Sequence, residues 1–156
     1  MFNSIYHILI CCQCEYAIPQ DWIMRHFRQL HKSIPLNIRQ EIFNYGKSLD
    51  LWHPNEVQQL WENSEIKSSI SGLKVNTGFQ CQFNNCNKLT RTERSMKFHC
   101  RNTHDWNNNT GTMWRKQFLQ TFFEGQYSKY EYMKSVLRVD CLLWQQKLMN
   151  LWRRII

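Results

Sequence analysis

Residues 11–31, CCQCEYAIPQDWIMRHFRQLH, and residues 81–104, CQFNNCNKLTRTERSMKFHCRNTH, decide how this chain folds. The first reads Cys11-x2-Cys14-x11-His26-x4-His31 and the second Cys81-x4-Cys86-x12-His99-x4-His104. A short Cys–Cys turn lets two thiolates converge on one ion. Two His five apart on a helix bring their imidazoles to the same side, so four ligands close a tetrahedron with no place for water. An apolar residue stands three before the first His in both, Ile23 and Met96, with Ile18 and Leu89 as second apolar positions. Two such matches in one short chain predict two structural Zn2+ ions, each contributing roughly 10–16 kcal/mol to folding.

The remaining cysteines and histidines are read as structural. Cys12 is expected as a small buried apolar residue, because Cys11 gives the right spacing to Cys14. Cys100 competes with His99 for a ligand place, and the helical register set by Met96 favours His99. Cys141 is expected in a core. His7 and His53 have no partner at ligand spacing.

The chain has 156 residues, 42% hydrophobic and 21% charged, too apolar for a disordered segment and enough for one ordinary domain or two very small ones. An odd count of seven Cys, with His at matching distances, favours metal over disulfides and a reducing compartment. The amino terminus lacks a basic n-region and a cleavage site, and its apolar run is far short of a membrane span. A nuclear or cytoplasmic protein, neither secreted nor bound to membrane, is expected.

Residues 4–11 read as a strand delivering Cys11, and Pro19 opens a helix carrying His26 and His31. The 49 residues 32–80 contain two stretches of helical apolar spacing, with breaks at Ser33-Ile34-Pro35 and His53-Pro54-Asn55. ISGLKVNTGFQC reads as a strand pair turning at Asn76-Thr77-Gly78 and leading into Cys81. Residues 113–124, MWRKQFLQTFFE, read as a helix, and a longer amphipathic helix follows with Met133, Leu137, Trp144, Leu148, Leu151 and Ile155 on its apolar face. The fold class predicted is small and mainly α with short β hairpins: two ββα zinc-finger units embedded in a helical scaffold. The divisions are a first zinc unit at 4–32, a helical connector at 33–72, a second zinc unit at 73–105 and a C-terminal helical segment at 113–156.

A net charge of +8 and a pI near 9.3 draw a small protein toward polyanions, although Lys and Arg also simply solubilise an aromatic-rich fold. Groove-tracking fingers need short linkers, which 49 residues are not. The would-be base-reading places are Pro19, Trp22 and Arg25 in the first unit and Thr92, Ser95 and Phe98 in the second, where Arg25 alone is a standard guanine reader. Arg25, Arg28 and Lys32, with Arg91, Arg94, Lys97 and Arg101, suit phosphate contacts instead, or equally a solvated helix face. No nucleophile–base pair, paired carboxylates or phosphate loop stands out, so neither an enzyme nor a small-molecule substrate is expected. The leading expectation is a non-enzymatic module binding DNA with little sequence preference. The alternative is a protein-interaction module in which Trp144, Leu148, Trp152 and Ile155, within residues 133–156, dock a partner or a second copy.

The chain resembles the fungal OrsD family, named for orsellinic-acid cluster protein D. The resemblance lies in IYHILICCQCEYAI before the first His pair, then ISGLKVNTGFQCQFNNC, then HCRNTH followed by a Trp and QTFFEGQ. It covers roughly residues 5–132 and implies a fungal protein with paired, widely separated zinc fingers, their ligands falling on the eight residues named above. Gln120-Thr121-Phe122-Phe123 matches the family's stretch after the second finger.

Overall fold

The computed structural model describes residues 1–63, 69–107 and 109–125, and the backbone of 131–132. The fold is built around β2 (Ile8–Cys11), which is buried on both faces. Side chains alternate along a strand, so Ile8 and Ile10 point one way, Leu9 and Cys11 the other. Two separate cores result. Ile8 and Ile10 pack with Ala17, Val57, Trp61, Ile70, Leu73, Phe122 and Phe123. Leu9 and Cys11 pack with Ile18 and Ile23, and with the partly buried Ile42 and Phe43.

Flanking β2 are β1 (Phe2–Asn3) and β3 (Tyr16–Ile18), in antiparallel order β1-β2-β3, with Cys11 opposite Tyr16. A 3-10 turn (Gln20–Trp22) after Pro19 leads into α1 (Ile23–Leu30). α2 (Leu36–Ser48) and α3 (Pro54–Asn63) begin at the two expected breaks, with Pro35 capping one and Pro54 in the first turn of the other, where a missing N–H costs nothing. At the start of α3 the His53 N–H donates to the Glu56 carboxylate (2.8 Å), half of a capping box. α1 packs on α2, and Gly46 permits the approach: a Cβ there would lie 2.3 Å from Ile23 Cδ1.

The second sheet has the order β5-β4-β6-β7, all antiparallel, from β4 (Val75–Cys81), β5 (Leu89–Thr90), β6 (Trp114–Gln120) and β7 (Glu131–Tyr132). Between β5 and β6 lies α4 (Glu93–His104), capped by Thr92, whose hydroxyl accepts from the Ser95 N–H at 3.2 Å. Met96 and Cys100 of α4 pack with Cys81, Trp106 and Trp114 as a third core.

Two expectations are corrected here. Asn76-Thr77-Gly78 is not a turn but the middle of β4, paired residue by residue with β6 from Val75–Gln120 to Cys81–Trp114. Glycine sits there because neighbours press in: a Cβ on Gly78 would lie 2.2 Å from Leu119 Cδ1 and 2.6 Å from the Thr90 carbonyl oxygen. Likewise, most of 113–124 is not a helix but β6. Its apolar residues form no single stripe, since Trp114 enters the third core and Phe122 and Phe123 the first. Among the described residues, four α-helices therefore share the fold with two antiparallel sheets, the second more extensive than the short hairpins expected. The amphipathic helix expected over 133–156, with Cys141, lies outside the described residues.

Candidate metal centres

Each cysteine pair starts at the buried last residue of a strand. Cys11 ends β2 and Cys81 ends β4, the second thiol follows in the turn, an antiparallel strand returns, and a helix brings the imidazoles. Positive backbone φ at Glu15 (58°) and Asn85 (59°) makes the two turns tight. Under each site lies the apolar residue three before the first His: Ile23 and Met96 are both fully buried. Ile18 is buried with Ile23, whereas Leu89 is half-buried.

The structure brings Cys11, Cys14, His26 and His31 together, and separately Cys81, Cys86, His99 and His104; within each set the ligand atoms all lie within 4.8 Å of one another. In the first, His31 Nε2 stands 3.3 Å from Cys11 Sγ, 3.2 Å from Cys14 Sγ and 3.1 Å from His26 Nε2. In the second, Cys86 Sγ is 3.3 Å from His99 Nε2. A tetrahedral ion about 2.3 Å from sulfur and about 2.05 Å from nitrogen sets edges of about 3.6 Å (S–N) and about 3.3 Å (N–N). These four edges are a few tenths shorter, and the remaining ones stay within 4.8 Å, so each set has the size of a site for one ion. His104 Nε2 is buried with no hydrogen-bond partner, an orphan atom that a metal would satisfy. Both sets could hold a metal ion.

The sites differ in shelter. His26 and His31 are buried, whereas His99 and His104 are half-buried. His31 falls just past the end of α1, while His104 is the last residue of α4 and stacks on Phe83 (4.1 Å, 19°). Before an ion enters, burial dominates the titration. Burial, with the charge of Cys11, pushes the Cys14 thiol up to about 11. Burial also pushes the Cys81 thiol up to about 11. Burial, then His31, pulls His26 down to about 4. His31 and His99 are lowered as well, both chiefly by burial. His26, His31 and His99 are thus held neutral, as ligands must be, and the Cys14 and Cys81 protons wait to be displaced.

Sequence reasoning missed two outer groups. The Tyr16 hydroxyl lies 3.4 Å from His26 Nδ1, and the Thr103 hydroxyl 3.3 Å from His99 Nδ1. An imidazole that gives Nε2 to an ion carries its proton on Nδ1, which these oxygens accept, fixing ring orientation. Thr103 could have been found as the i+4 neighbour of His99. Tyr16 needs the pairing register with Cys11.

Cysteines and histidines outside the sets have other places. Cys12 is half-buried rather than buried, because it leaves β2 at the turn. Cys100 is fully buried, 3.9 Å from Cys81 Sγ and outside the four-ligand set. His7 lies flat on Trp52 (4.4 Å, 3°) with Nδ1 2.8 Å from the Asp50 carbonyl oxygen, and His53 stands just before α3, its N–H donating to Glu56. The candidate phosphate-binding side chains Arg25, Arg28, Lys32, Arg91, Arg94 and Arg101 are exposed. Arg25 lies over Trp22 (5.7 Å) and Arg101 over Trp106 (5.4 Å), while Lys97 pairs with Glu93 (3.1 Å). Among the described residues no helix is long and apolar enough to cross a membrane.

The family model for orsellinic acid/F9775 biosynthesis cluster protein D matches residues 1–105, a span holding all eight candidate ligands. A protein of that name from Emericella nidulans is 31% identical over 129 residues, which cover 83% of this chain but 24% of the relative. The chain therefore spans about a quarter of that relative's length. No solved structure matches it. Matched over two-thirds of its length, the chain belongs to the OrsD family.

Proposed function

We propose that this chain is a non-catalytic module stapled by two Zn2+ ions in ββα finger units, and that it associates with nucleic acid, DNA foremost, with little sequence preference. The zinc reading is supported by ligand chemistry: two thiolates and two imidazoles in a closed set suit Zn2+ and leave no open position for a substrate. Elemental analysis of the purified chain should find two zinc ions; one or none overturns it.

The nucleic-acid reading is carried by one observation. The helices that supply the His ligands turn exposed arginines outward: Arg25 and Arg28 on α1, and Arg94 and Arg101 on α4 with Arg91 just before it. Together with a net charge of +8, their exposure supports contact with phosphates. Base readout has little to work with. Pro19 precedes the 3-10 turn, Trp22 packs against the core around Ile23, and Thr92 and Ser95 bond each other (2.8 Å). Lys97, held by Glu93, is the weakest member of the basic set.

Fluorescence anisotropy against DNA of mixed sequence tests this. Affinity should fall steeply as salt rises, with similar curves for unrelated sequences. Replacing Arg91, Arg94, Lys97 and Arg101 by Gln together should abolish most of it. Undetectable binding at low salt overturns the reading. Such a module would work in the nucleus or the cytosol.

A further inference from the structure

α4 buries one face and exposes another. Met96 and Cys100 are fully buried, while Phe98 on the opposite side is 67% exposed, an unusual place for a bare aromatic ring. At 3.6 residues per turn, Arg94, Phe98 and Arg101 fall within about 60° of one another, with Phe98 between the two arginines along the helix axis and the Arg101 guanidinium over Trp106 (5.4 Å). Lys97 borders this face beside Arg101 and is paired with Glu93 (3.1 Å), the carboxylate nearest to it on the helix; Asp105 comes only after the last helical residue.

A phenyl ring has nothing to offer the edge of a paired base beyond contact with a thymine methyl. Its flat face matches the flat face of a base that is not already stacked, and that contact is indifferent to sequence. Thr92 and Ser95 are occupied at the helix start, so Phe98 is the one free group at a base-facing place of α4. Resting on the nucleic-acid reading above, we infer that the outer face of α4 takes single-stranded nucleic acid, an unpaired base stacking on Phe98 while Arg94 and Arg101 hold the flanking phosphates.

The test uses the full zinc-loaded chain and four probes: oligothymidylate, oligouridylate, a duplex of mixed sequence, and phosphatidylserine vesicles. Anisotropy should show both single strands binding tighter than the duplex. Equal affinity for the two assigns the contact to base and phosphate; a preference for one assigns a further contact to the 2′-hydroxyl or the thymine methyl, the two groups by which they differ. Phe98→Ala should weaken single-strand binding roughly tenfold to hundredfold and leave duplex binding unchanged. Phe98→Trp, which keeps a ring, should bind at least as tightly as the parent, and retained zinc in both shows that the fold is intact. Replacing Arg94 and Arg101 by Gln should flatten the salt slope by about 1.4, at about 0.7 per phosphate contact on a single strand. Duplex binding equal to single-strand binding, with Phe98→Ala silent, overturns this inference while leaving the nucleic-acid reading in place. Binding to vesicles alone, or to no probe, overturns both.

Discussion

At the residue scale the metal sites turn on protons. Cys14 and Cys81, held up to about 11 by burial, keep their protons at neutral pH, and an ion must displace them. His26, lowered to about 4, is already neutral and competes with no proton until the pH nears that value. The sign follows: metal binding releases protons, so affinity falls with falling pH, about tenfold per unit for each thiol proton displaced. Between about pH 7 and about pH 5 the Cys14 proton alone should weaken the first site roughly a hundredfold, measured by competition with a chromophoric chelator. A pH-independent affinity over that window would show thiols already ionised. The outer hydroxyls act on the same ligands. Tyr16→Phe keeps the ring and removes the acceptor at His26 Nδ1, and should weaken the first site about tenfold to hundredfold. Thr103→Val should weaken the second site less, because Thr103 is exposed and water can replace its oxygen.

At the element scale, spacing within one segment was legible and pairing between distant ones was not. The clustering of the eight Cys and His, a strand into Cys11 (Ile8–Cys11 rather than 4–11), helices carrying His26 and His99, and the proline breaks before α2 and α3 are local features that the structure shows, although α1 starts at Ile23 rather than Pro19 and ends before His31. β4 and β6 are joined across more than thirty residues, and neither announces its partner. Asn76-Thr77-Gly78 carries the composition of a turn, but the glycine answers to Leu119 and the Thr90 carbonyl, groups remote in sequence. Trp114, Phe118 and Phe122 fall at helical intervals yet serve different surroundings: Trp114 and Phe122 are buried in separate cores, and Phe118 is 53% exposed. The two glycines make this testable. Gly78→Ala meets a carbonyl fixed in a strand and should destabilise by roughly 1–3 kcal/mol. At Gly46 the obstacle is the movable end of Ile23, and alanine gains about 1 kcal/mol of helix propensity, so Gly46→Ala should cost much less. Thermal unfolding of the zinc-loaded variants gives the order, and a larger loss at Gly46 would refute it.

At the scale of the whole molecule, the two metal units are parts of one structure rather than beads on a linker. The chain leaves the first core at Leu73, builds the second sheet, and re-enters the first core at Phe122 and Phe123. Backbone bonds seal the return: the Ala17 N–H donates to the Phe122 carbonyl (2.7 Å) and the Lys74 N–H to the Glu15 carbonyl (2.8 Å). The buried Gln120 carboxamide accepts from the Ile70 N–H (2.8 Å) and donates to the Ile70 and Leu73 carbonyls (3.0 and 2.8 Å), fastening the end of β6 to the strand's approach. Phe122 also touches Tyr6 and Trp61 edge-on, so its ring ties the amino terminus to α3. Phe122→Ala should therefore cost about 3–5 kcal/mol, and the loss should be felt at the first metal site although Phe122 follows the second in sequence. Removing the second site by Cys86→Ser loosens the turn between β4 and β5, and through β6 the strain reaches Gln120 and Phe122. Hydrogen exchange at the Ala17 amide reads this coupling directly. Its protection should fall in Cys86→Ser even with the first site loaded, and thermal unfolding should remain a single transition. Unchanged protection at Ala17, with two separate transitions, would mean that the units fold independently and that the shared core is only a contact surface.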